Sequence, residues 1–157
     1  MADCIHEQIT ASLESALGSA STYPGNVNPT VERERGTLNI AGRYPFVELG
    51  GPYAENDVQT YKIDMTDLRY VVKYYVNMTD ENTVANTELP YLTRNVCADL
   101  QKAVMVDPSR GNLAHFTRVT DSGYDFDLDA NGDVQFYRYL VVQVRVRVDS
   151  DDPYQLG

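Results

Sequence analysis

Val134-Gln135-Phe136-Tyr137-Arg138-Tyr139-Leu140-Val141-Val142-Gln143-Val144-Arg145-Val146-Arg147-Val148-Asp149 is the stretch that decides the fold. Leu140, Val142, Val144, Val146 and Val148 point one way in an extended chain, while Gln143, Arg145, Arg147 and Asp149 point the other. A period of two with β-branched residues on the apolar side is the pattern of a half-buried strand. Extended at about 3.3 Å per residue, the segment spans roughly 50 Å, more than a small monomer needs. The expectation is that one face closes this chain's own core and the arginine face is completed by another subunit.

Working upstream, Asn131-Gly132 is placed as the tight turn of a hairpin, with short strands expected at Tyr124 to Asp129 and Ala114 to Thr120. Leu89, Leu92, Val96, Leu100, Ala103 and Val104 recur at helical spacing. That predicts a helix over 89–105, with Pro90 in its first turn and Asp107 to Gly111 stopping it. From Thr60 to Met78, Leu68, Tyr70, Val72, Tyr74, Val76 and Met78 alternate with Asp67, Arg69, Lys73, Tyr75 and Asn77, which reads as a second long strand. Tyr53 to Thr60 reads as a polar loop after Gly50-Gly51-Pro52. The charged segment Thr30 to Arg35 reads as an edge strand, and Tyr44 to Leu49 as a strand that Pro45 confines to an edge or to a strand start. Ile5, Ile9, Leu13 and Leu17 define a first helix over 3–17, with Asp3 as its N-cap and Gly18 as its C′ residue, and Ser19 to Pro29 is a connector. The whole is one α+β domain over 1–157: an antiparallel, strongly twisted sheet with long hairpin strands, flanked by two helices. Its β regions cover 30–78 and 114–149, and residues 150–157 form a short tail.

At 157 residues, with 43% hydrophobic residues, the chain has the size of one domain with one core. No apolar run approaches the roughly 20 residues of a membrane span, and Met1-Ala2-Asp3-Cys4 has neither part of a signal peptide, so a protein made and kept in the cytosol is expected. Without a secretory signal the sequon Asn77-Met78-Thr79 carries no weight. Cys4 and Cys97 are too few for a disulfide framework and read as free thiols. A net charge of −10 repels phosphate backbones, which argues against tight nucleic-acid binding and suits a surface past which a polyanion slides.

Candidate chemistry is sparse. Asp127-x-Asp129-x-Asn131-Gly132, with Asp125 and Asp133 beside it, reproduces the start of a calcium loop. The twelfth position is Arg138 where a bidentate Glu belongs, and the flanks read as strands rather than helices, so the aspartates are weak metal candidates. His6 and His115 lack metal-ligand spacing, Cys97 falls on the apolar side of its helix, and Gly50-Gly51 precedes a proline with no lysine. No nucleophile is nominated, so neither enzyme activity nor a cofactor is expected. Gln143, Arg145 and Arg147, with Arg69 and Lys73 on the neighbouring long strand, are the candidate subunit-interface residues. Twelve tyrosines against no tryptophan supply amphipathic area for a core or a contact surface, Tyr70, Tyr74, Tyr75, Tyr137 and Tyr139 among them.

The order of these elements resembles the tail terminator (tail completion) proteins of long-tailed bacteriophages. The resemblance is carried by Arg43-Tyr44-Pro45-Phe46-Val47-Glu48-Leu49, by Asp99-Leu100-Gln101-Lys102-Ala103-Val104-Met105-Val106-Asp107-Pro108, by Leu113-Ala114-His115-Phe116-Thr117-Arg118-Val119-Thr120-Asp121, and by the terminal Val-Arg-Val-Arg hairpin. It covers roughly Val31 onward. It implies a virion protein forming a homo-hexameric ring at the head-proximal end of the tail tube, which stops tube polymerisation and docks to the head connector while DNA passes through its lumen. Two alternatives stand beside it: a head-completion or stopper protein of the phage neck, and a calcium-dependent binding module.

Overall fold

The computed structural model of the chain describes residues 3–22, 27–34, 44–76, 93–128, 130–132 and 134–157. In chain order these form α1 (Ile5–Gly18), β1 (Thr30–Arg33), β2 (Phe46–Thr60), β3 (Ile63–Tyr75), α2 (Val96–Val104), β4 (Phe116–Leu128) and β5 (Val134–Asp149). Among the described residues one five-stranded sheet has the order β1-β2-β3-β5-β4. The α+β class is as expected, but the sheet is mixed. β1 lies parallel to β2, pairing Thr30 with Phe46 through Arg33 with Leu49, and the other pairs are antiparallel. The dozen residues joining β1 to β2 provide the length that a crossover requires and a tight hairpin does not.

The even positions of β5 and β3 build the core as the alternation predicts. Leu140, Val142, Val144, Val146 and Val148 join Leu68, Tyr70, Val72, Tyr74 and Val76, and the helices cover this face with Ile5, Ile9, Leu13, Leu17, Val96, Leu100 and Val104. Two core tyrosines keep their hydroxyls satisfied, Tyr70 against Thr10 Oγ1 at 2.8 Å and Tyr74 against Thr22 Oγ1 at 3.0 Å. Those bonds tie α1 and the segment after it to β3, at sites where an unpaired hydroxyl would be costly.

Several boundaries differ from the sequence reading. The expected polar loop Tyr53 to Thr60 is strand: β2 runs through it to a two-residue turn at Tyr61-Lys62, where Thr60 pairs with Ile63. Every side chain described from Pro52 to Thr60 is exposed, so the apolar alternation that betrays a half-buried strand is missing. Register shifts at Gly50/Tyr53 and Glu55/Val58 scramble what pattern remains. The two short strands expected at Ala114 to Thr120 and Tyr124 to Asp129 are one strand, β4, with a shift between Val119 and Asp121.

The segment expected as strand from Thr60 to Met78 begins at Ile63, and its register with β5 runs unbroken to Tyr75; Asn77 and Met78 lie outside the described residues. The second helix starts at Val96 rather than 89, because Thr93 to Asn95 form a turn; Leu89, Pro90 and Leu92 lie outside the described residues. Cys4, not Asp3, occupies the N-cap position of α1, and Gly18 is its last helical residue, with Ser19 at the C-cap. Between β4 and β5 the final pair is Leu128 with Val134, so the loop has five residues, and Gly132 (φ 81°) rather than Asn131 takes the left-handed conformation. The C-terminal tail turns back so that Leu156 bridges Val148, flanking β5 beyond the start of β4.

Candidate functional site

The helices leave the other face of the sheet to the odd positions of β3 and β5, which is where all five candidate interface residues fall. Cross-strand pairing sets them in rows. Arg69, Gln143 and Arg118 form one row, and Asp67, Arg145 and Phe116 the next. Arg145 is held bidentately by Asp67, Nε to Oδ1 at 2.7 Å and Nη2 to Oδ2 at 3.0 Å, and its guanidinium lies 5.0 Å from the Phe116 ring centre. The bonds to Asp67 raise the Arg145 pKa further, so this cation is permanent. Arg118 donates to Gln143 Oε1 at 2.7 Å and also lies over Phe116, at 5.3 Å. Arg147 is half-buried and its Nε has no acceptor among the described residues. The ion pair of Arg69 with Glu55 is loose, at 3.7 Å.

Lys73 sits apart from these arginines, 3.5 Å from Asp127 and 4.9 Å from the Tyr137 ring centre. Its surroundings are acidic and aromatic. Burial raises the Glu48 carboxyl, with Glu34 and Asp127 adding to the shift and Lys73 opposing it. Tyr75, fully buried, is flanked by Phe46 at 6.2 Å and Tyr137 at 5.3 Å. The face is thus divided, with Arg69, Arg118, Arg145 and Arg147 toward one end of β5 and Glu48, Asp125 and Asp127 toward the other. Sequence reading missed Phe116, Arg118 and Asp67 as members. The signal was present in the Phe116-x-Arg118 alternation, but which strand pairs with β5 was needed to read it.

The acidic segment after Asp121 is used locally. The backbone amides of Ser122, Phe126 and Leu128 donate to the carboxylates of Asp121, Asp125 and Asp127 at 2.8, 2.8 and 2.9 Å. β4 is an edge of the sheet, so these bonds withdraw three donors from any additional strand and place negative charge along the edge. Asp127 therefore serves Leu128 and Lys73, Asn131 lies in the turn, and Asp129 and Asp133 lie outside the described residues. Among the described residues no three His, Cys, Asp or Glu side chains are grouped to hold a metal.

On the helix side of the same hairpin, Tyr124, Phe126, Leu128 and Val134 remain 50, 45, 61 and 51% exposed. Phe136, fully buried beneath them, meets Tyr124 at 5.7 Å and Phe126 at 5.5 Å between ring centres. A contiguous apolar row on a paired hairpin is an unusual surface for a monomer.

Cavities offer less. One of about 390 Å³ lies between α1 and the end of α2, lined by Ser12, Ser15, Ser19, Asp107 and Arg110 among others, without histidine, cysteine or lysine. Arg110 is fully buried and donates to the carbonyls of Val104 and Asp107, bolting the end of α2. His115 and Arg147 line a smaller cavity of about 140 Å³ with the C-terminal residues. His6, half-buried on α1, is pushed down by burial against the opposing pull of Asp57 and Asp64. Burial raises the Cys97 thiol, whose Sγ lies 3.4 Å from the Tyr139 carbonyl, so it is held protonated and unreactive. No helix is long and apolar enough to cross a membrane among the described residues. No family model matches the chain, and no curated protein matches it in sequence.

Proposed function

We propose that this chain is a structural virion protein, the tail terminator of a long-tailed phage, which assembles with copies of itself into a ring, a hexamer by the resemblance. The ring sits at the head-proximal end of the tail tube, ends its growth and meets the head connector. One observation carries the reading: the apolar row Tyr124, Phe126, Leu128 and Val134 on the β4–β5 hairpin, exposed in the single chain on a strand edge whose amides are self-capped. That surface has the character of a contact made through side chains with another protein. In this reading the sheet is strongly twisted, and its long hairpin strands reach beyond the chain's own core to a neighbour. A net charge of −10 suits a lumen through which DNA passes without being gripped.

Mass photometry and light scattering of the purified protein, with electron microscopy of tail particles, test the reading. The expected result is a closed ring, located at the head-proximal end of the tube by labelled copies. A strict monomer at high concentration with no ring on tails overturns it. A label found on the head side of the neck, on particles lacking tubes, assigns the chain instead to the head-completion or stopper proteins.

A further inference from the structure

We infer that the acidic, apolar tip of the β4–β5 hairpin of one copy docks on the arginine patch around Phe116 of the next copy. This contact rests on the self-assembly proposed above and names the two surfaces that make it.

Both halves are on the same chain and are chemically opposite. The tip presents Phe126 and Leu128 on one side and Asp125 and Asp127 on the other, and Asp125 is exposed, with one carboxylate oxygen accepting from the Phe126 amide. The patch presents Arg118 at the surface and Arg145 half-exposed over a partly covered Phe116 ring, with Arg147 two residues further along β5 and Arg69 across from Gln143. Asp67 and Glu55 offset part of that positive charge, Asp67 through its bidentate bond to Arg145. Four arginines still stand together on a chain with thirteen basic and twenty-three acidic residues. Tip-to-tip pairing would set aspartates against aspartates, and patch-to-patch pairing arginines against arginines. Of the three pairings, tip-to-patch alone sets opposite charges against each other. The pairing can be made reciprocally about a two-fold axis or head to tail; on the ring reading it runs head to tail, and its repetition closes into a ring when the rotation permits. Self-capping of the β4 amides leaves side chains, rather than a continued sheet, to make the joint.

The test uses the full chain in three forms: wild type, Arg118→Glu/Arg147→Glu, and Asp125→Arg/Asp127→Arg, each checked for a cooperative melt. Wild type assembles at low salt and loosens as salt rises. Each charge-reversed form has two like-charged surfaces and associates at least about 100-fold more weakly. Mixing the two reversed forms in equal amounts restores assembly, because each then meets its complement. A third variant, Phe126→Ser/Leu128→Ser, weakens assembly without changing the salt dependence. A wild type that never assembles removes the ring reading and this contact together. An assembling wild type whose reversed forms assemble equally well overturns the contact and leaves the ring standing. Reversed forms that are folded and monomeric both alone and when mixed also overturn the tip-to-patch pairing. Arg118→Ala/Arg147→Ala serves if the reversed patch does not fold, and unchanged assembly there counts against the contact.

Discussion

The two faces of β5 are built from alternate residues of one strand and obey different rules. On the even side, Leu140 to Val148 are closed in by β3, α1 and α2, and little tolerance for change is expected. On the odd side, Gln143 and Arg145 meet side chains of their own sheet, Arg118, Asp67 and Phe116, and Arg147 lines a small cavity with His115 and the C-terminal residues. The first face holds the core and the second carries the charged side chains, an arrangement that antiparallel sheets allow because only one face needs a core.

The sharpest way to break this contrast is to damage each face in turn. Leu13→Ala removes a fully buried contact from the helix layer and is expected to cost about 2–5 kcal/mol, read from urea unfolding. A loss under about 1 kcal/mol would show that the helices do not seal the core as described. Gly51→Ala comes next. Gly51 has φ 109°, and a Cβ there would lie 2.7 Å from the Arg69 carbonyl, so about 1–3 kcal/mol should be lost at the first irregularity of β2.

Tyr70→Phe deletes the hydroxyl paired with Thr10 and should cost about 1 kcal/mol at neutral pH. Burial holds the Tyr70 phenol up to about 12, against 10.0 for the ordinary group. Its contribution is therefore whole below about pH 10 and is lost as pH rises through about 12. Alkaline melts of Tyr70→Phe should fall less steeply over that window than those of wild type. His6 provides a smaller effect on the acid side. Its folded-state value is lowered, chiefly by burial, so the stability it carries is present above about pH 6.5 and declines as pH falls below it. His6→Gln should flatten that slope in melts between pH 7.5 and 5. Smallest of all, Arg118→Ala on the open face should change stability by no more than about 0.5 kcal/mol while weakening assembly. Equal damage to stability and assembly would erase the distinction between the faces.

Legibility in the sequence followed burial. Where a strand is buried on one side, as in β5 and most of β3, the alternation gave the right element and the right inward residues. β2 beyond Gly50 and the outer part of β4 are exposed on both sides, so composition pointed to a loop in one and to two fragments in the other. The aspartates of the calcium-like run show a local use that the sequence does not display: Asp125 and Asp127 accept from the amides of Phe126 and Leu128, while Asp129 lies outside the described residues. Arg145 was nominated correctly as lying off the core, but its partner Asp67 is 78 residues away in sequence, and no local pattern joins them.

By itself, then, the sequence determined the α+β class, the core side of the two central strands, the apolar stripe of the first helix and the acidic balance, because each depends on periodicity or count. Tertiary structure decided the parallel pairing of β1, the reach of β2, the unity of β4, and the gathering of Phe116 and Arg118 beside Arg145. Those depend on which strands lie side by side, a choice made by the sum of many distant contacts rather than by any segment alone.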